Sequence, residues 1–313
     1  MKRIYKVAGH LFSISIEDNS PLWEKMGNYA PFLCTDEGTE GAEPLFNVEF
    51  STVREEPFER RPFYIEKAAD PSQPRLDVYR EALPGSPELD CSISADSPRW
   101  VIDMAPVQNM KICARIVANG NFRNIRVTAV DQQGIGLFAV NNAAMLMFAF
   151  NTATLGTLEM HASVIEKDGY GYLFLGKSGT GKSTHSGLWL KNVPGSTLLN
   201  DDNPIVKVEE DGSVSVYGSP WSGKTPCYNN RSVKAGAFVR LRQWPENIIR
   251  RSSQLEAYAS LYPSCSGLRQ IKAYADGMHS TIEHVIGRVP SYELDCLPDA
   301  GAALLCSSTV IQK

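Results

Sequence analysis

The sequence predicts an α/β protein of the α+β kind, built as two domains. Three observations carry that prediction. Short β-like segments recur from Lys2 to about Val130, one long apolar helical stretch follows them, and the pattern then becomes strand, Gly-rich loop, helix, strand. A chain of 313 residues is too long for one ordinary core, and at roughly 100 to 200 residues per domain two is the expected count. With 43% hydrophobic and 21% charged residues, it has the composition of a protein that buries a core.

The first half is read element by element. The opening "MKRIYKVAGHLFSISIED" has basic residues but alternates apolar and polar, so it lacks the apolar run of a secretory leader and is expected to form a first strand. "HLFSISI", "LFNVEF", "PFYIEK", "RLDVYR", "WVIDM", "KICARIV" and "IRVTAV" are further strands by their alternation or their β-branched and aromatic content. The acidic "TDEGTEGAEP" (35 to 44) and the Pro- and Ser-studded stretch from 83 to 98 are expected to be loops. A β-rich domain over 1–138, a curved sheet or a sandwich, follows from this run.

The stretch from 137 to 158 is the most apolar, yet two Asn and several Thr interrupt it and its unbroken apolar core is too short to span a bilayer. A helix near 139 to 152, buried between layers, is expected, and it opens a second domain over 139–313. There "HASVIEKDGYGYLFLG" forms two strands joined at Asp168-Gly169, and "IVKVEEDGSVSVYG" a second hairpin around another Asp-Gly. "KSTHSGLWLK" is a helix stopped by Pro194-Gly195, and "STLLN" the strand after it.

Between the strand "GYLFL" and that helix stands "GKSGTGKST". Gly176, Gly181, Lys182 and Ser183 fill G-x-x-x-x-G-K-[ST], with Lys177, Ser178, Gly179 and Thr180 between and Thr184 behind. Glycines let successive backbone N–H groups turn inward on an anion, and the positive end of the helix adds to that field. The loop is therefore expected to cradle the β-phosphate of ATP, with Lys182 bridging the β- and γ-phosphates and Ser183 on Mg²⁺. A P-loop names no reaction by itself.

Asp201-Asp202 ends the strand "STLLN", which a parallel sheet would place beside the P-loop. Two carboxylates there can divide labour, one on the metal and the other taking a proton from an acceptor hydroxyl. His161 precedes the P-loop strand. A lone strand histidine is ordinarily structural, but its neutral imidazole can also hold a second divalent ion such as Mn²⁺ or orient the γ-phosphate. His185, on the first turn of the P-loop helix, is expected to pack or to sit on the surface.

The block "GTLEMHASVIEKDGYGYLFLGKSGTGKST" with "LLNDDNPIV" resembles the nucleotide site shared by HPr kinase/phosphorylases and ATP-dependent phosphoenolpyruvate carboxykinases. The resemblance covers about residues 156 to 226. It implies a carboxykinase-like nucleotide-binding fold and makes His161, Lys182, Ser183, Asp201 and Asp202 one constellation. It also makes Lys224, in "GSPWSGKTP", similar to a carboxykinase lysine that meets the phosphates. The chain departs from both families. No Lys or Arg occurs between Val127 and Glu166, where a carboxykinase carries a metal-binding lysine, and the Gly-rich, Arg-containing signature of HPr kinases is missing after the paired Asp.

The expectation is thus ATP-dependent phosphoryl transfer to a hydroxyl, on a small molecule or on a protein Ser or Thr. A carboxykinase-like lyase and a non-catalytic ATP sensor are the alternatives. Arg240, Arg242, Arg250 and Arg251 are candidate lid or acceptor-binding cations. Lys plus Arg (31) against Asp plus Glu (35) gives a net charge of −4, with no broad basic surface for nucleic acid or an anionic membrane. The seven cysteines form no C-x-x-C pair, which argues against zinc knuckles and a disulfide framework and for a cytoplasmic protein. Homo-oligomerisation is left open.

Overall fold

The computed structural model describes residues 1–313 except 36–41, 54–55, 66–73, 86–88, 107–110, 130–133, 224 and 312–313. Lys224 and parts of both long loops read from the sequence therefore lie outside the described residues. The chain is mixed α/β and divides into two compact units, Met1–Asn151 and Thr152–Lys313. The division falls after the long apolar helix, whereas the sequence reading put the boundary before it, near residue 138.

The first unit contains β1 (Lys2–Val7), β2 (His10–Ser15), α1 (Leu22–Lys25), β3 (Phe46–Ser51), β4 (Arg60–Ile65), β5 (Arg75–Glu81), β6 (Trp100–Ala105), β7 (Ala114–Ala118), β8 (Asn124–Ala129) and α2 (Ile135–Thr152, its last residue counted with the second unit). Its strands make one eight-stranded sheet in the order β1-β2-β3-β8-β7-β6-β5-β4, not a sandwich. The β2/β3 and β3/β8 pairs are parallel and the rest antiparallel. The opening strand and the expected strand "HLFSISI" form a hairpin, β1 and β2. Its two-residue turn uses Ala8 (φ 49°) and Gly9 (φ 84°), a primed geometry that Ala rarely adopts and that is usually signalled by Asn or Asp.

Helix α2 belongs to this unit because its aromatic residues pack on the sheet. Phe148 meets Phe12 and His10, and Phe150 meets Phe122 edge-on. It is the one described helix long and apolar enough to cross a membrane, with a mean hydropathy of 1.3, and 56% of it is buried inside the protein. Burial against a sheet explains its composition.

The second unit continues with β9 (Thr157–Glu159), β10 (Ala162–Lys167), β11 (Tyr170–Leu175), α3 (Lys182–Asn192), β12 (Thr197–Asp202), β13 (Ile205–Val208), β14 (Val214–Tyr217), β15 (Ser232–Gln243), β16 (Ile248–Arg251), α4 (Gln254–Leu261), α5 (Lys272–Ile286), β17 (Ser291–Cys296) and α6 (Ala300–Val310). The sheet runs β12-β10-β11-β15-β14-β13-β9, with β17 and then β16 added beside the far end of β15. Both hairpins expected around Asp-Gly form, the first with Asp168 at φ 53° and Gly169 at φ 80°.

Alternation along the strands decides where the core lies. Tyr172 and Phe174 of β11 and Ala237, Val239 and Leu241 of β15 share one face with Trp189 of α3, Val193 at its C-cap, and Ala303, Cys306 and Val310 of α6. His185 sits in this core, edge-on to Phe174, and accepts a hydrogen bond through Nε2 from Trp189 Nε1 at 3.1 Å. Burial holds its pKa down at about 4, so the ring is neutral.

That shift has a defined sign. The folded pKa lies below the unfolded value of about 6.5, so the stabilisation is full above pH 6.5 and is lost as pH falls toward 4. Urea midpoints across this window should show the wild type's advantage over His185→Gln shrinking as pH falls. An advantage that stays constant would contradict a buried neutral imidazole. Trp189→Ala should cost about 3–5 kcal/mol at pH 7, as expected for a fully buried aromatic.

Candidate functional site

One register builds the site. Ala162 of β10 pairs with Leu175 of β11 on one side and with Asp202 of β12 on the other, antiparallel in both cases. The start of β10 and the ends of β11 and β12 therefore meet at one sheet edge. The expected parallel neighbour relation is corrected here, because β12 lies two strands from the P-loop strand with β10 between them. Two antiparallel steps restore a common direction, so Asp201-Asp202 still emerges beside the loop.

At that edge β11 runs into Gly176 (φ 154°), and the loop turns through Gly179 (φ 77°) and Gly181 (φ 108°) into α3. A Cβ on Gly176 would lie 3.1 Å from the Thr180 side chain, so both space and conformation call for glycine. Thr180 closes the turn onto Lys177 O through its amide (3.1 Å) and its hydroxyl (2.6 Å). Lys182 is only 8% exposed, and its Nζ donates back to Gly176 O at 2.9 Å. The N-cap, Gly181, offers no side-chain acceptor, so no cap competes for the first amides of α3. Gln243, at the end of β15, donates to Gly179 O and Thr180 O at 3.3 and 3.4 Å. The sequence reading missed it because the strand that carries it lies some sixty residues away.

The two aspartates sit in different environments. Asp201 is 3% exposed; its Oδ1 accepts from Ser183 Oγ at 3.0 Å, while Oδ2 is buried with no hydrogen-bond partner. A carboxylate oxygen held dry and unpaired is unfavourable, and a counter-charge placed beside it would relieve that cost. The side chain of Asp202 is 39% exposed, and its Oδ1 lies 3.3 Å from His161 Nε2. His161 itself precedes β10 and is not part of it, its amide donating to Ser264 O at 2.7 Å. Asp202 has φ 128°, a conformation that L side chains rarely adopt.

The turn after the aspartates is tightly held. Asn200 is buried, donates to Ser219 Oγ and Trp221 O, and accepts from the Asn203 amide. The Asp201 carbonyl accepts from the Gly223 amide at 2.6 Å and from Ser222 Oγ at 3.0 Å. A Cβ on Gly223 would come within 3.1 Å of Asp202 Cβ. The segment "WSGK" is thus brought to the aspartate pair up to Gly223, the residue before Lys224.

A buried acid that the sequence did not signal stands two residues before His161. Neither carboxylate oxygen of Glu159 has a hydrogen-bond partner. Burial pushes its pKa up to about 8; the nearby Ser266 side chain opposes this, and the charge of Asp202 adds a smaller upward push. Among the described residues no three His, Cys, Asp or Glu side chains form a metal cage. A cation here would be held by one or two protein groups and by substrate oxygens, as is usual for Mg²⁺ at phosphate sites. No family model matches the chain, and no curated protein is significantly similar to it.

Strain at Asp202 predicts a trade between stability and chemistry. Asp202→Gly should raise the unfolding free energy by about 1 kcal/mol or less, the relief of strain being offset in part by glycine's backbone entropy. Denaturant titration measures this. A clear loss of stability would mean that the His161 and Asn203 contacts outweigh the strain.

Proposed function

We propose that this chain is a P-loop kinase of the superfamily shared by HPr kinase/phosphorylases and ATP-dependent phosphoenolpyruvate carboxykinases, moving the γ-phosphoryl group of ATP to a hydroxyl acceptor. The observation that carries the proposal is the convergence at one sheet edge of the Gly176–Thr184 loop, the Ser183–Asp201 bond and the His161–Asp202 pair.

In this reading the amides of the loop and of the start of α3 hold the β-phosphate, and Lys182 lies along the β- and γ-phosphates. Ser183 and Asp201 would hold Mg²⁺, which when bound neutralises phosphate charge. The buried, unpaired Oδ2 of Asp201 supports giving the metal role to that residue. The partly exposed Asp202 then takes the acceptor's proton, and His161 holds its carboxylate in place or meets a phosphate oxygen. Lys224 is proposed as a second phosphate-binding lysine, since Gly223 beside it is pinned to Asp201. All seven cysteines are free thiols, which supports a reducing, cytoplasmic setting.

The test is ATP binding and γ-phosphoryl transfer, to water and to a panel of acceptors, with Mg²⁺ present. Lys182→Ala should weaken ATP binding and abolish transfer. Asp202→Asn should keep ATP affinity and lower transfer by about 10²-fold or more, as for loss of a general base. Binding without turnover in the wild type would turn the reading into that of a sensor, and Mn²⁺-dependent turnover of oxaloacetate into that of a lyase.

A further inference from the structure

Four arginines were candidates for an acceptor-binding cation, and their surroundings separate them. Arg242 is neutralised by Asp295, with both bonds at 2.6 Å. Arg250 is neutralised by Glu293 and Glu256 at 2.6 and 2.8 Å. Arg251 lies on β16, which is separated from the P-loop strand by β15 and β17. Arg240 differs from all three. It stands in register with Leu175, the residue before Gly176. It is partly buried, and its Nη1 donates only to neutral acceptors on α4, Ala259 O at 3.3 Å and Ser260 Oγ at 3.4 Å. Among the described residues no carboxylate forms an ion pair with it.

The direction of the Arg240 side chain follows from the strand. Phe174 and Val239 pair and point into the α3 core, so the next pair, Leu175 and Arg240, points to the opposite face, where α4 lies. The turn that follows α4 reaches His161, through its amide bond to Ser264 O. One helix and its turn therefore brace both Arg240 and His161, at two ends of a single polar rim on that face. Across the rim, Asp202 and Arg240 are three strand spacings apart, or about 14 Å between backbones.

Glu293 of β17 stands opposite Arg240 in register but gives its carboxylate to Arg250 at 2.6 Å, so Arg240 is a partly desolvated guanidinium without an ion pair among the described residues, and its remaining donors suit a planar carboxylate or a phosphate. We infer that Arg240 binds an anionic group on the acceptor, so that the substrate of this site is a small hydroxyl compound carrying a carboxylate or phosphate. This rests on the kinase reading. The acceptor hydroxyl oxygen forms the new bond to the γ-phosphorus, its proton goes to Asp202, and the bond from phosphorus to the β–γ bridging oxygen breaks with its electrons leaving on ADP.

The experiment follows labelled γ-phosphate into D-glycerate, L-serine and glycerol 3-phosphate, each beside an uncharged or carboxylate-free counterpart, glycerol or L-serinamide. Wild type, Arg240→Gln and Arg240→Lys are compared, with thermal melts to show that each is folded. At least one anionic compound should be used about tenfold or more better than its counterpart. Arg240→Gln should raise KM for that compound about tenfold with KM for ATP within twofold, and Arg240→Lys should recover part of the loss. Preference for glycerol or serinamide would overturn the assignment, as would a loss of ATP affinity with acceptor KM unchanged. If no compound takes label, calorimetric titration of the same compounds into protein saturated with ADP and Mg²⁺ separates the two ideas. Anion binding that Arg240→Gln abolishes keeps Arg240 and sinks the kinase reading, whereas no anion binding by the wild type overturns the Arg240 assignment itself.

Discussion

Every chemical group of the second unit depends on the double register of Ala162, opposite Leu175 on one side and Asp202 on the other. Backbone hydrogen bonds between three strands hold that register, and a slip by one residue would turn each side chain to the other face. Ser163 shows what the register secures below the edge. It pairs with Asp201 in the sheet, and its hydroxyl meets Ser186 Oγ of α3 at 2.6 Å. Strand β10 and the P-loop helix are thus tied together one residue behind the site, and Ser183, one turn nearer the start of that helix, is placed to bond Asp201.

The same edge concentrates costs that a merely structural turn would avoid. Asp201 keeps a dry, unpaired oxygen, Asp202 a strained backbone, and Glu159 a carboxyl with neither oxygen paired. Each is unfavourable by itself, of the order of 1–3 kcal/mol. They persist because the surroundings over-determine them, with Asn200, Asn203, Ser219, Ser222 and Gly223 fixing the backbone on which both aspartates ride. Such a concentration of unpaired and strained polar groups supports the proposed ligand site. The first unit has buried unpaired atoms of its own, Asp77 Oδ1 and Arg80 Nη1, although its deeply buried Asp103 is satisfied twice over, by Arg60 at 2.9 Å and Arg115 at 2.6 Å.

Sequence by itself determined the elements whose signals are local. The P-loop was legible because its glycines must take positive φ and so cannot be replaced freely, and the Asp168-Gly169 hairpin because its turn needs the same. The strands of both units could be read from alternation, and so could the position of the paired aspartates at the end of the strand that follows the P-loop helix. The tight turn at Ala8-Gly9 was not legible, because alanine gives no warning of a left-handed conformation. Tertiary structure alone decided the rest. The antiparallel β10 between β11 and β12, the grip of Gln243 on the loop, the burial of Glu159 and the engagement of Glu293 with Arg250 instead of with its register partner Arg240 all depend on which distant strands pair. The different surroundings of Asp201 and Asp202 have the same origin. Neighbours along the chain look alike to any local rule, and only the sheet turns one inward toward Ser183 and leaves the other open at the edge.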